Sequence, residues 1–156
     1  MRLTDQQCAQ FERDGYLFLP DQFDPEEVAA LRADIPRIFA MDREEIWREK
    51  DGTSVRTAFA AHTYSEPFGK LARHPRMVEP VRQLLGGELY VHQFKINGKA
   101  AFQGDVWQWH QDYGTWSRDD AMPAPNAMNI SVFLDDVTPV NGALMLIPRS
   151  HTDGVQ

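Results

Sequence analysis

The chain carries one cysteine, Cys8, in 156 residues. No disulfide can form within it, and a lone thiol fits a reducing compartment. No apolar run approaches the roughly 20 residues that a membrane-spanning helix needs. Positive charge is sparse and scattered: Lys and Arg number 16 against 23 Asp and Glu, for a formal net charge of -7. A nucleic-acid surface needs a concentrated cationic face. Neither nucleic acid nor a membrane is therefore expected as a partner. The chain opens on a capped helix and not on a basic-then-apolar leader, so a cytoplasmic location is expected. Repeats and low-complexity tracts are lacking too.

What is present is 42% apolar and 11% aromatic, enough to fill one core. A single domain, 1–156, is expected, mostly helical over 1–87. Thr4 and Gln7 have capping-box spacing, and Gly15 stops the first helix after Asp14. Tyr16 to Pro20 is short and apolar and is expected to be a strand. Asp24-Pro25-Glu26-Glu27 opens a second helix with a cap, a proline and acids at its positive end. Val28, Leu31, Ile35 and Ile38 continue it, with Pro36 expected to kink or end it. Asp42 to Ser54 reads as a polar loop. His74-Pro75 opens another helix whose inner stripe is Met77, Val78, Val81, Leu84 and Leu85, closed by Gly86-Gly87.

From residue 88 the apolar period changes to two. Tyr90 to Ile96, Val106 to Tyr113, Ala127 to Leu134 and Ala143 to Ile147 are expected to be strands. Gly98 to Gly104 and Arg118 to Pro125 are the expected loops. Helices followed by strands imply an α+β fold, with helices packed on a β-sandwich or barrel. Four strands leave open edges, which natural proteins cover. The chain is accordingly expected to be the first part of a longer domain.

The run Val106-Trp107-Gln108-Trp109-His110-Gln111-Asp112-Tyr113 is the most informative. On an extended segment His110 and Asp112 point to one face. An imidazole and a carboxylate are two thirds of the facial triad that holds non-haem Fe(II) with three positions open. A plain surface strand, with the tryptophans packed inward and the polar side chains in water, fits the same pattern. Gln93, Lys95 and Asn97 share one face of the preceding strand, opposite His92, Phe94 and Ile96. Asn129 and Ser131 repeat this on the next. Such faces suit a polar barrel interior or a solvated sheet equally. His151 is expected to anchor a strand-to-loop junction by a hydrogen bond.

The ordered set Tyr90 to Asn97, Gly104 to Tyr113 and Asn141-Gly142-Ala143-Leu144 resembles the phytanoyl-CoA dioxygenase family. Within it the chain looks most like the bacterial hydroxylases that act on proline and ectoine. The resemblance implies a double-stranded β-helix, the cupin-like jelly roll, with helices outside, residues 88–156 forming its first strands. It implies Fe(II), 2-oxoglutarate and O₂ as the reacting set. His110 and Asp112 would be the catalytic iron ligands. Asn97, Lys99, Trp116 and Ser131 would stand near the cosubstrate, and Gln93, Lys95 and Thr115 near a small-molecule substrate. Relatives supply the distal His, and an Arg for 2-oxoglutarate, from strands beyond the position of Gln156. Lys95 stands where ectoine hydroxylases have arginine and Phe94 where they have serine, both nearer the proline-hydroxylase pattern. Two other readings follow from the residues: a cupin-like isomerase or binding module with another divalent metal, and a catalytically incomplete fragment.

Overall fold

The computed structural model describes residues 1–100 and 105–155. Four helices occupy the first half: α1, Asp5–Asp14; α2, Pro25–Phe39; α3, Glu66–Ala72; and α4, Pro75–Leu85. Thr4 and Asp24 each close a reciprocal capping box, with Gln7 and Glu27. This is the local chemistry that the sequence announces. Gly15 ends α1 at φ 79. The His151 ring packs against its bare Cα, where any side chain would collide. His74 caps α4 and Gly86 ends it, as expected.

Three strands form one antiparallel sheet in the order β1 (Ile46–Arg48), β2 (Val55–Phe59), β3 (Lys95–Asn97). Ala58 stands opposite both Ile46 and Ile96, and Thr57 opposite both Trp47 and Asn97. Ile46, Ala58 and Ile96 face the core. There they meet Leu31 and Ile38 of α2 and Phe68 and Leu71 of α3. Because side chains alternate along a strand, the opposite face carries Trp47, Thr57, Phe59, Lys95 and Asn97.

Several expectations are corrected. Tyr16 to Pro20 has no ladder, and Phe18 is 70% exposed; a short apolar run without a partner strand stays a connection. α2 does not end at Pro36 but runs on to Phe39. So near the C-terminus, the missing N–H removes a single helical bond. The expected loop Asp42 to Ser54 contains β1. β2 and α3 carry too few residues for their periodicity to stand out. Of the four expected strands only Tyr90 to Ile96 is laddered, and only at its end: β3 begins at Lys95 and runs one residue further, to Asn97, while Tyr90 to Phe94 has no ladder. Val106 to Gln111, Ala127 to Leu134 and Ala143 to Ile147 have no ladder. Asp112 and Tyr113 instead begin a fifth helix, α5, Asp112–Asp119, which also takes the first two residues of the expected loop Arg118 to Pro125. In the Gly98 to Gly104 loop, residues 101–104 lie outside the described residues. The fold is thus α+β with a small sheet.

Period-two patterning sets which side chains share a face, but a strand needs a neighbouring edge to bond to. Among the described residues none is offered to these three segments. Val132 and Leu134 pack against the core, but most of the other large apolar side chains remain open to solvent, including Trp109 at 61% and Leu144 at 59%. The chain's last turn is pinned back on α1: Arg149 N–H donates to the Asp14 carbonyl at 2.8 Å, and His151 Nε2 to the Glu12 carbonyl at 3.0 Å. His151 thus makes an anchoring hydrogen bond, but to α1 and not at the strand-to-loop junction expected, since Ala143 to Ile147 is not a strand.

Two predictions follow from the packing. Phe68 is 2% exposed at the centre of the core. Phe68→Ala should destabilise the protein by about 3–5 kcal/mol in urea unfolding. Asp34 links α2 to α3, accepting from Arg37 at 2.6 Å and from the Ser65 hydroxyl at 2.5 Å. The Arg37 guanidinium foremost, and then Ser65, hold its carboxyl below the ordinary 3.8. A carboxyl with a depressed folded value stabilises above its unfolded pKa, and that contribution vanishes as pH falls through the folded one. Asp34→Asn should therefore lower the melting temperature at pH 7, and the gap from wild type should close below about pH 4.

Candidate metal and substrate site

His110 ends the segment that leads into α5, and Asp112 is the first residue of that helix. A carboxylate here sits at the positive end of the helix dipole. The two side chains converge, with His110 Nε2 and Asp112 Oδ1 3.6 Å apart. His110 Nδ1 donates to the Gln108 carbonyl at 2.6 Å, which leaves the Nε2 lone pair directed at the gap. The second Asp112 oxygen accepts from Asn129 Nδ2 at 2.5 Å. Both ligand candidates are thus oriented by an outer hydrogen bond, the arrangement that metal-ligating His and carboxylate groups use. The donor set, one imidazole nitrogen and one carboxylate oxygen, suits Fe(II). Among the described residues no group of three His, Cys, Asp or Glu is placed to hold a metal; His110 and Asp112 stand as a pair.

The site is open. The His110 and Asp112 side chains are 54% and 28% exposed. The tryptophans are not buried behind them: Trp107 is 41% exposed. The plain surface-strand reading, which needs those rings in the core, does not describe the segment.

The remaining predicted residues fall into separate groups. Gln93, Lys95 and Asn97 are exposed, while Phe94 and Ile96 turn inward, as the alternation requires. Gln93 lines a hollow of ≈ 470 Å³ with Glu44, Glu45, Trp47 and Phe59. Trp47 meets Phe59 edge-on at 4.8 Å, and Lys95 Nζ lies 5.8 Å from the centre of the Phe59 ring. Asn97 accepts from the Thr57 hydroxyl at 3.1 Å across the β2–β3 ladder. Lys99 lies along the bare Cα of Gly142, bringing together two motifs distant in sequence. Thr115 and Ser131 are exposed. Trp116 is 8% exposed and packs edge-on against His92 at 5.0 Å, which is in turn tied to Asp120 at 3.0 Å.

A larger hollow of ≈ 780 Å³, lined by residues including His62, Tyr64, Lys70 and Arg73, contains none of the predicted residues. Burial, and then Arg73, push its His62 imidazole below the ordinary value.

Sequence reasoning missed Trp47, Thr57 and Phe59 because it missed β1 and β2. The alternation Val55, Thr57, Phe59 was the available signal. Asn129 was noted only as part of a polar face; its bond to Asp112 joins segments whose proximity no local pattern reveals.

The comparisons with known proteins bear on the family and the fold. Residues 11–156 match the family model described as Phytanoyl-CoA dioxygenase (PhyH). The chain is 42% identical over 153 residues to the ectoine dioxygenase of Bordetella parapertussis, covering 96% of this chain and 50% of the relative. It is 43% identical over 145 residues to the L-proline trans-4-hydroxylase of Streptomyces griseoviridis, covering 93% and 54%. The crystal structure of EctD from S. alaskensis with 2-oxoglutarate and 5-hydroxyectoine superposes with a TM-score of 0.74 at 36% identity, covering 78% of this chain and 44% of that one. The same protein with bound Fe gives 0.69 at 36% identity, covering 73% and 42%. The chain spans about half the length of the curated relatives it matches. The described residues include no helix long and apolar enough to cross a membrane. By its match over nearly the whole length and by its identity to named dioxygenases, this chain belongs to the phytanoyl-CoA dioxygenase family.

Proposed function

We propose that the protein hydroxylates a small amino acid or a similar metabolite, proline- or ectoine-like, using Fe(II), 2-oxoglutarate and O₂. The observation that carries this reading is the convergence of His110 Nε2 and Asp112 Oδ1 at 3.6 Å, each side chain held by a second partner, Gln108 or Asn129. His110 and Asp112 would hold the iron, with the third ligand supplied from the part of the family length that this chain does not span. Iron with 2-oxoglutarate and O₂ supplies the oxidising power for an unactivated C–H bond and leaves succinate and CO₂ as co-products.

The chain's own task is to bind and orient. The hollow beside Gln93 has both signs of charge within reach: Lys95 over the Phe59 ring, and Glu44 on its wall, where Glu45 is already paired with Arg43. That combination suits a small zwitterion, whose carboxylate would pair with Lys95 while its cationic nitrogen meets the acidic, aromatic wall. Gln93 would hydrogen-bond its polar edge. Lys99, Asn97, Thr115, Trp116 and Ser131 are proposed to shape the neighbouring cosubstrate and substrate space. Trp116 would do so from a buried position, as a wall and not as a hydrogen-bonding group. The open apolar side chains of residues 106–147 would be covered by the remainder of the domain.

The reading is tested by incubating the intact protein with Fe(II), 2-oxoglutarate, O₂ and either L-proline or ectoine. Succinate and a hydroxylated product should form together, and His110→Ala should reduce both to background. Turnover of a substrate without succinate would favour a cupin-like isomerase. Equal, weak Fe(II) binding by wild type and His110→Ala would favour an incomplete fragment. Lys95→Gln should raise KM for the substrate about tenfold or more with a smaller effect on kcat, as expected for a group that binds ground and transition states alike.

A further inference from the structure

We propose that Arg56 is a positioning residue for the metal motif: from β2 it fastens the backbone just ahead of His110 and so sets where the imidazole stands. The inference rests on the reading of His110 and Asp112 as metal ligands.

Arg56 Nη1 pairs with Glu49 at 3.0 Å and also donates to the Asp105 carbonyl at 3.3 Å. Nη2 donates to the Val106 carbonyl at 3.4 Å. The guanidinium plane covers the Trp107 ring, with Cζ 4.1 Å from its centroid. Glu49 completes the grip by accepting the Asp105 N–H at 3.3 Å, and Lys50 holds the Asp105 carboxylate at 2.7 Å. Three consecutive residues, Asp105 to Trp107, are thus held by side chains of the β1–β2 hairpin. The segment has no ladder of its own. These side-chain contacts supply the fastening that backbone pairing gives elsewhere.

The chemistry requires arginine. One planar fork must reach a carboxylate and two carbonyls while stacking on an indole, and a lysine ammonium can do only part of this. The Arg56 and Glu49 side chains are 23% and 11% exposed, so solvent screens their pairing less than that of a surface pair. The clamp is also separable from the core. Val106, Trp107 and Trp109 are exposed, and the core cluster of α2, α3 and the sheet contains none of the clamped residues. Releasing the clamp should free the motif without loosening the fold.

Two readouts on the intact protein test this: Co(II) titration followed by visible absorption, and amide hydrogen exchange. Arg56→Gln should raise the Co(II) dissociation constant about tenfold, as losing a supporting contact commonly does. It should also speed exchange at the Asp105 amide, which donates to Glu49, while leaving α2 and α3 unchanged. Arg56→Lys should fall between wild type and Arg56→Gln in both. Wild-type behaviour of Arg56→Gln in both readouts, with binding lost in His110→Ala, overturns the inference alone. Equal Co(II) binding by wild type and His110→Ala overturns the metal reading and the inference with it. If Arg56→Gln speeds exchange throughout α2 and α3, Arg56→Lys decides: an affinity equal to wild type overturns the inference, and a weaker one with α2 and α3 protected supports it.

Discussion

β2 is five residues long and bonded along both edges, to β1 and to β3. Both other strands and α2 are placed against it. Ala58, wholly buried, gives the inner face its flat contact with α2 and α3. Thr57 and Phe59 give the outer face its contacts with Asn97, Trp47 and Lys95. Arg56 reaches the metal segment. A strand with two bonded neighbours has little freedom to slip, because a shift of one residue would turn Ala58 outward and Thr57 into the core. The core, the hollow beside Gln93 and the placement of His110 share this one register.

The site follows a division of labour common in enzymes built on β-structure. A packed helix-and-sheet layer provides rigidity, while the proposed ligands stand on a segment outside it. Here the His110 and Asp112 pair sits where an extended segment becomes a helix. His110 is the second residue before α5 and Asp112 its first. The change of conformation brings Nε2 and Oδ1 together and points the carboxylate's second oxygen at Asn129.

Much of the helical half was legible along the chain because its signals are local. A capping box, a proline at the first helical turn and a glycine at the end act over three or four residues, so Thr4, Asp24, His74, Gly15 and Gly86 could be read directly. The site was legible in part. The sidedness of Gln93, Lys95 and Asn97 came from period-two alternation, and His110 with Asp112 came from ligand chemistry at a spacing of two. β1, β2 and α3 went unread because short elements hold too few repeats to reveal a period. The expected strands after Val106 were read from a true alternation, but alternation records only which side chains share a face. It carries no information on whether a partner edge is within reach.

The sequence alone determined the helix boundaries set by caps, the inward and outward faces of residues 92–97, the residue types able to bind a metal, and that no disulfide can form within these 156 residues. These follow from residue identity and near-neighbour geometry. Only the tertiary structure decided that Trp47 and Phe59 wall the hollow beside Gln93, that Lys99 crosses Gly142, that Asn129 orients Asp112, and that Arg56 holds the segment before His110. Each is a contact between residues 10 or more apart in the chain. Such contacts exist only once hydrophobic burial has folded the helices onto the sheet, and no local pattern encodes them.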